Sequence, residues 1–268
     1  MSHVPRKRFG QNFLHDPKVI AHIVQAIDPR PEQQLVEIGP GQGAITEPLL
    51  RACGHLDVVE IDRDLAGSLH GRWSDLGTLT VHNQDALKLD FCSLADPPGR
   101  RLRIVGNLPY NISTPLLFHA LEQLHCIQDM HFMLQKEVVD RMAAKAGDEA
   151  YGRLSVMVQY HCTVEPLFTI GPGAFRPPPR VESAFVMLAP HDRRPVQVTD
   201  EACFARVVRE AFSHRRKTLR NALRGMIDES RIIALGLDPG LRPERLGLEA
   251  FAALANAIAD DDFSTQPC

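Results

Sequence analysis

The sequence predicts an α/β domain on a mostly parallel, seven-stranded sheet, followed by a small all-helical C-terminal domain. Three observations carry this prediction. Short apolar, β-rich runs alternate with amphipathic or capped helical stretches from residue 17 to residue 190, the pattern of a parallel sheet covered by helices on both faces. The first run ends in a glycine-rich turn, Gly39-Pro40-Gly41-Gln42-Gly43. Beyond Pro190 the β pattern stops and only helical periodicity continues.

The elements follow in order. Asp16-Pro17 opens a helix, with an acceptor at the cap and proline at the first helical position. Strands are expected at 35–38, 56–61, 79–82, 102–105, 130–134, 164–170 and 184–188. The last two are joined by the rigid loop Gly171-Pro172-Gly173-Ala174-Phe175-Arg176-Pro177-Pro178-Pro179, and a direct return of this kind pairs antiparallel. His191-Asp192-Arg193-Arg194-Pro195 reads as a linker. Helices are expected at 200–212, 215–226, 229–235 and 243–259. The expected organisation is an arm over 1–15, the α/β domain over 16–190, the linker over 191–195 and the helical domain over 196–268.

Composition sets bounds. A chain of 268 residues, 44% hydrophobic and 24% charged, buries a real core. Its net charge of −3 argues neither for nor against a polyanionic partner. Local charge says more. Residues 206–224 hold seven Lys or Arg against one acid, Glu210, while residues 57–96 hold eight acids. That segregation predicts one surface for a polyanion and another for a cationic or neutral ligand. The six cysteines form no CxxC pair, so reduced, packed thiols are expected, with neither a disulfide framework nor a metal site. No stretch reaches the ~20 apolar residues of a membrane span and no secretory h-region is seen. A cytoplasmic monomer without a membrane partner is expected.

The glycine turn has the spacing G-x-G-x-G, which differs from the G-x-G-x-x-G that seats a pyrophosphate on a helix N-terminus. A ligand without phosphates is therefore preferred. Glu60 ends the second strand, where an acid can accept both hydroxyls of a ribose. Asp85 follows the third strand and can accept from an adenine amine. A tight turn and two solvated strand ends explain each feature singly; in register behind three successive strands they describe an adenosine site with acidic surroundings. S-adenosylmethionine, with its sulfonium and ammonium cations, fits. NAD is the alternative.

Asn107-Leu108-Pro109-Tyr110 follows the fourth strand. The Asn107 side-chain oxygen and the Leu108 carbonyl can accept the two N–H bonds of an exocyclic amine, and the Tyr110 ring can lie on the base. Prolines stiffen the loop. Phe175, in the proline-rich loop, is the candidate second stacking partner; its alternative role is a hydrophobic plug. Arg216, Arg220 and Arg224, at a spacing of four, would share a helix face beside Lys217 and, with Arg215, form the candidate phosphate-backbone surface. Its alternative is a solvated charged face.

Across nearly its whole length the chain resembles the KsgA/RsmA-type small-subunit rRNA adenine N6,N6-dimethyltransferases. The segments that carry the resemblance, in order, are Arg8-Phe9-Gly10-Gln11-Asn12-Phe13-Leu14, 37–43, Val59-Glu60-Ile61-Asp62, Gln84-Asp85-Ala86, 106–115, Gln135-Lys136-Glu137-Val138, Tyr151-Gly152-Arg153-Leu154-Ser155, 175–186 and 212–224. The resemblance implies a class I (Rossmann-like) methyltransferase fold and S-adenosylmethionine as donor. It also implies dimethylation of two adjacent adenosines in the 3′-terminal hairpin loop of small-subunit rRNA within the assembling subunit. By position it places cofactor contacts on Asn12, Leu14, Gly39, Glu60, Asp85 and Asn107; the turn adds Gly41. The macrolide-resistance type, which acts on large-subunit rRNA, shares the fold but lacks the segment 212–221 as it stands here. A non-catalytic RNA-binding assembly factor is the third reading.

Overall fold

The computed structural model describes residues 11–214 and 216–264, with side chains to residue 260. Two short strands, β1 (Phe13–Leu14) and β8 (Phe175–Arg176), pair antiparallel, with Leu14 opposite Phe175. At two residues each they are too short to leave a period in the sequence.

The main sheet is built from β2 (Gln34–Ile38), β3 (His55–Val59), β4 (Thr78–His82), β5 (Leu102–Asn107), β6 (Ile127–Gln135), β7 (Cys162–Ile170) and β9 (Ser183–Pro190). All seven expected strands are present, within a few residues of their expected limits. Their order is β4-β3-β2-β5-β6-β9-β7. Pairing is parallel from β4 through β6, and β9 is antiparallel to β6. All five residues of β2 are buried, as a strand covered on both faces requires. This arrangement is the class I methyltransferase sheet.

Capping explains the first helix, α1 (Pro17–Ile27): Asp16 Oδ1 accepts from the amides of Lys18 at 2.8 Å and Val19 at 3.2 Å. Helices α2 (Thr46–Cys53), α3 (Arg63–Leu69) and α4 (Ser113–Leu121) follow β2, β3 and β5. One charge is built into the core. Arg103 on β5 is 6% exposed. It donates to Asp129 at 3.0 Å, Gln33 Oε1 at 2.7 Å and the Ile27 carbonyl at 2.8 Å, so its buried charge is both paired and hydrogen-bonded.

The chain divides into two compact units, Met1–Val139 with Val164–Pro190, and Asp140–Thr163 with His191–Cys268. The boundary drawn at 191 thus misses residues 140–163, among them α6 (Arg153–His161) after α5 (Lys136–Ala143). The reason lies in the packing of α6 on α7 (Glu201–Ala211). The Tyr160 ring lies 4.6 Å from that of Phe204, and its hydroxyl donates to Glu201 at 3.0 Å. The Tyr151 hydroxyl donates to the Leu246 carbonyl at 2.9 Å. The helix expected over 215–226 shrinks to α8 (Leu219–Ala222), with Thr218 as its cap and Gly225, at φ 85°, beyond its end. The amides of Leu219 and Arg220 donate to the carbonyls of Leu241 and Pro239. Helices α9 (Glu229–Ala234) and α10 (Leu248–Ser264) complete the unit.

The expectation of reduced thiols is corrected at one pair. Cys92 and Cys126 form a disulfide, their Cα atoms 5.5 Å apart. They are 34 residues apart in sequence, so no short spacing announces them. Cys53, Cys162 and Cys203 are free and buried, as expected. No helix among the described residues is long and apolar enough to cross a membrane.

Candidate active site

The strand order reverses at β2, which has β3 on one side and β5 on the other, and crevices form at the carboxyl ends of strands at such a point. A cavity of about 290 Å³ opens there, walled by Gln11–Leu14, Gly39–Gln42 of the glycine turn, Glu60 and Ile61, Gln84–Leu87 and Asn107–Ile112. The walls therefore bring together Asn12, Leu14, Gly39, Gly41, Glu60, Asp85, Asn107, Leu108 and Tyr110.

The three glycines of the turn have positive φ, of 67°, 57° and 83° for Gly39, Gly41 and Gly43. Two meet different constraints. A Cβ on Gly41 would lie 3.2 Å from the Phe13 ring, which lines the cavity. One on Gly43 would lie 2.1 Å from the Trp73 ring. Gly43 thus serves the packing of Trp73 and is absent from the cavity wall.

Glu60 is 5% exposed. Its Oε2 accepts from the Gly41 amide at 3.2 Å and its Oε1 from the Asp62 amide at 2.9 Å. Each oxygen keeps acceptor capacity for a ribose hydroxyl. Burial lifts the Glu60 pKa, and these amide bonds oppose the rise. Asp85 caps the turn that follows it, its Oδ1 accepting from the Leu87 amide at 3.0 Å, which leaves Oδ2 for a ligand.

Glu37 lines the cavity on β2 and was legible in sequence only as the residue opening the glycine motif. It is 1% exposed and its Oε2 has no hydrogen-bond partner among the described residues. Burial pushes its pKa up to about 8, and the charge of nearby Glu60 adds to the rise. The signal available in sequence was an acid inside an otherwise apolar strand. Thr46, beside the carboxyl, opposes the rise in pKa, and the buried oxygen without a partner is the atom that a cationic ligand would satisfy, so the donor set fits S-adenosylmethionine.

The Asn107 amide nitrogen donates to the Asn12 carbonyl at 3.1 Å. Only the NH2 group can donate to a carbonyl, so this bond sets the amide's orientation and leaves Oδ1 as a free acceptor. The Leu108 amide donates to the Met133 carbonyl at 3.1 Å, which anchors Leu108, and the ring of Pro109 restrains the peptide whose carbonyl would take the second N–H. The Tyr110 hydroxyl shares a 2.7 Å bond with Ser183 Oγ, and burial raises its pKa.

Phe175 departs from the stacking expectation. It is 2% exposed and packs in the core with Leu14, Met133 and Phe185, and it is absent from the cavity wall. The antiparallel pairing that sets it opposite Leu14 makes it the plug beneath the loop. Phe13, which pairs with Arg176 in the same ladder, lines the cavity together with Tyr110 instead.

The basic segment also differs from its helical reading. Arg216, Lys217, Arg220 and Arg224 are all exposed, but only Arg220 lies within α8, so the three arginines do not form one helix face. Arg220 is paired with Glu229 at 3.1 Å. Arg215 and the amino-terminal Arg6-Lys7-Arg8 lie outside the described residues.

Residues 2–260 match the family described as ribosomal RNA adenine dimethylase. A Pseudomonas putida protein named ribosomal RNA small subunit methyltransferase A is 57% identical over 96% of this chain and 96% of that protein. The Chromohalobacter salexigens protein of the same name is 54% identical over 97% and 93%. The chain belongs to the ribosomal RNA adenine dimethylase family. It is accordingly an rRNA adenine dimethyltransferase of the S-adenosylmethionine-dependent class. Among solved structures, a dimethyladenosine transferase from Plasmodium falciparum matches the fold with a TM-score of 0.76 at 24% identity, over 93% of this chain and 98% of that one. The 23S rRNA methyltransferase ErmE matches with a TM-score of 0.71 at 26% identity, over 92% and 100%.

Proposed function

We propose that this chain transfers methyl groups from S-adenosylmethionine to the N6 amines of two adjacent adenosines in the 3′-terminal hairpin loop of small-subunit rRNA, within the assembling subunit. The observation that carries the reading is the Asn107 amide, whose nitrogen is committed to Asn12 and whose oxygen is left to accept. The extent of likeness to relatives named for the small subunit favours that substrate over the large one.

The donor, when bound, supplies an electrophilic methyl on a good leaving group. The rest is done by the chain. Glu60 holds the ribose hydroxyls, Asp85 accepts from the cofactor adenine's amine, and Asn12, Leu14, Gly39 and Gly41 close around it. Glu37 compensates the ligand's positive charge. On the substrate side, Asn107 Oδ1 and the Leu108 carbonyl accept from the target amine. Those bonds favour a pyramidal nitrogen and direct its lone pair toward the methyl group. Catalysis is placement and electrostatics. The base must leave its stack to enter, and the Tyr110 ring, tethered through Ser183, lies against it, a contact worth about 1–3 kcal/mol. After the first transfer Asn107 keeps the remaining N–H while the new methyl lies near Phe13. Arg216, Lys217 and Arg224 bind phosphates; Arg215 belongs to the same proposed surface, and Arg220 does so only when released from Glu229.

The test is methyl transfer to small-subunit particles lacking this modification, followed by nucleoside analysis. N6,N6-dimethyladenosine in the 3′-terminal hairpin is the expected product. Labelling confined to large-subunit RNA, the reading that the likeness to ErmE allows, would overturn the substrate assignment.

A further inference from the structure

Cys92 lies in the 3-10 turn Phe91–Leu94, and His125 and Cys126 lie in the 3-10 turn Leu124–Cys126 that follows α4. Other bonds than the one between the cysteines hold these turns together. The Phe91 amide donates to Gln123 Oε1 at 2.7 Å. Gln123 Nε2 donates to the Leu89 carbonyl at 3.3 Å, and His119 Nε2 lies 2.7 Å from the same oxygen. Phe91 itself is completely buried. Side-chain anchors thus bring three soft donors to one point: the two sulfurs and a ring nitrogen of His125 all lie within 4.8 Å of one another. His125 Nε2 is 3.2 Å from Cys92 Sγ. His125 is exposed and Cys92 half-buried, so the cluster is open to solvent on one side.

We propose that in the reduced protein Cys92, His125 and Cys126 form a site for a thiophilic divalent cation, with zinc as the fitting occupant, and that the disulfide and the metal exclude each other. Two thiolates and an imidazole are the donors that zinc selects, at about 2.3 Å for sulfur and about 2.0–2.1 Å for nitrogen. Calcium and magnesium require oxygen ligands and are not accommodated. Two sulfurs on one tetrahedral zinc lie roughly 3.8 Å apart. Cysteines whose Cα atoms are 5.5 Å apart reach that spacing by side-chain rotation alone. Water completes the fourth position from the exposed side.

The chemistry balances. An external dithiol reductant gives the disulfide two electrons and two protons and is itself oxidised to a disulfide. Binding the cation then displaces both thiol protons, and two thiolates neutralise its charge. In either state the two turns stay tied, one continuing from the Asp85–Leu87 wall of the cavity and the other from the helix that follows the Asn107–Ile112 wall. The reduced, metal-free state lacks this tie.

The experiment uses the full-length chain, stripped of metal and reduced with a phosphine. Zinc affinity is read by competition with a chromophoric chelator, and Co²⁺ serves as the spectroscopic probe. The expected result is one zinc per reduced chain, with a thiolate-to-cobalt charge-transfer band, and neither in the disulfide form. Cys92→Ser and Cys126→Ser should remove the band, while Cys203→Ser and Cys268→Ser should leave it intact. The exposed substitution His125→Ala, which spares the fold, should weaken zinc binding by at least about tenfold. A reduced chain that takes up no metal, undiminished binding in the Cys92→Ser/Cys126→Ser double variant, or unchanged affinity in His125→Ala would each overturn the proposal.

Discussion

Replacing Glu37 by Gln isolates the buried carboxyl in the cavity. In the fold its pKa stands at about 8 against an ordinary 4.5. At ~1.4 kcal/mol per unit, that gap corresponds to about 5 kcal/mol. The sign follows from proton binding. Below pH 4.5 both folded and unfolded chains hold the proton, and this site takes nothing from stability. Between 4.5 and 8 only the folded chain holds it, so stability falls as pH rises, by up to ~1.4 kcal/mol per pH unit. Glutamine is isosteric and cannot ionise, so that component vanishes in Glu37→Gln. The assay is urea denaturation of ligand-free protein at pH 5.5, 6.5 and 7.5. It can be followed by fluorescence of Trp73, the single tryptophan, which is 8% exposed and packs in the same core. The stability difference, wild type minus variant, should drop steadily across this series. Parallel pH dependences for the two proteins would refute the assignment of a protonated, desolvated carboxyl. The same argument predicts that binding of a cationic donor releases more protons in the wild type than in the variant, which calorimetry in buffers of different ionisation enthalpy would detect.

Asn107→Ala should lower methyl transfer by about 10²–10³-fold and donor affinity only roughly a few-fold, measured by single-turnover transfer and by equilibrium titration; equal activity would remove the proposed amine contact. Gly43→Ala forces a side chain into positive φ and against the Trp73 ring, and should destabilise by about 2–4 kcal/mol in urea denaturation. Arg103→Ala removes a buried side chain and leaves the half-buried Asp129 carboxylate without its guanidinium partner, with only His131 beside it, and an expected loss of about 2–4 kcal/mol by the same measurement. Reversal of Arg216 and Lys217 to Glu should weaken binding to small-subunit particles and lower the slope of log affinity against log salt by about 1.5–2; an unchanged slope would return these cations to a solvated surface.

Much of the fold was legible because it depends on local pattern. Seven strands read as apolar or β-rich runs, Asp16-Pro17 as a capped start, and Gly39 and Gly41 as a turn that only glycine tolerates. The walls of the cavity were legible for the same reason, since a parallel sheet delivers the residue after each strand to one edge. Phe175 was misread because an aromatic in a proline-rich loop looks alike in a pocket and in a core; the two-residue pairing with Leu14 decides. The basic segment was misread because a spacing of four marks a shared face only if the helix forms. Here the chain is helical for four residues, and the acid that pairs with Arg220 stands nine residues away.

What the amino-acid order determined alone is the layered architecture, which rests on spacings short enough to be carried by a single strand or turn, and the family, which rests on an ordered series of such short motifs along nearly the whole chain. Only the tertiary structure decided which acids lose their water, which rings face the ligand, and where the second compact unit takes its helices. It also decided that Cys92 meets His125 and Cys126. These are consequences of burial and of long-range packing, in which the surroundings of a side chain are set by residues tens of positions away.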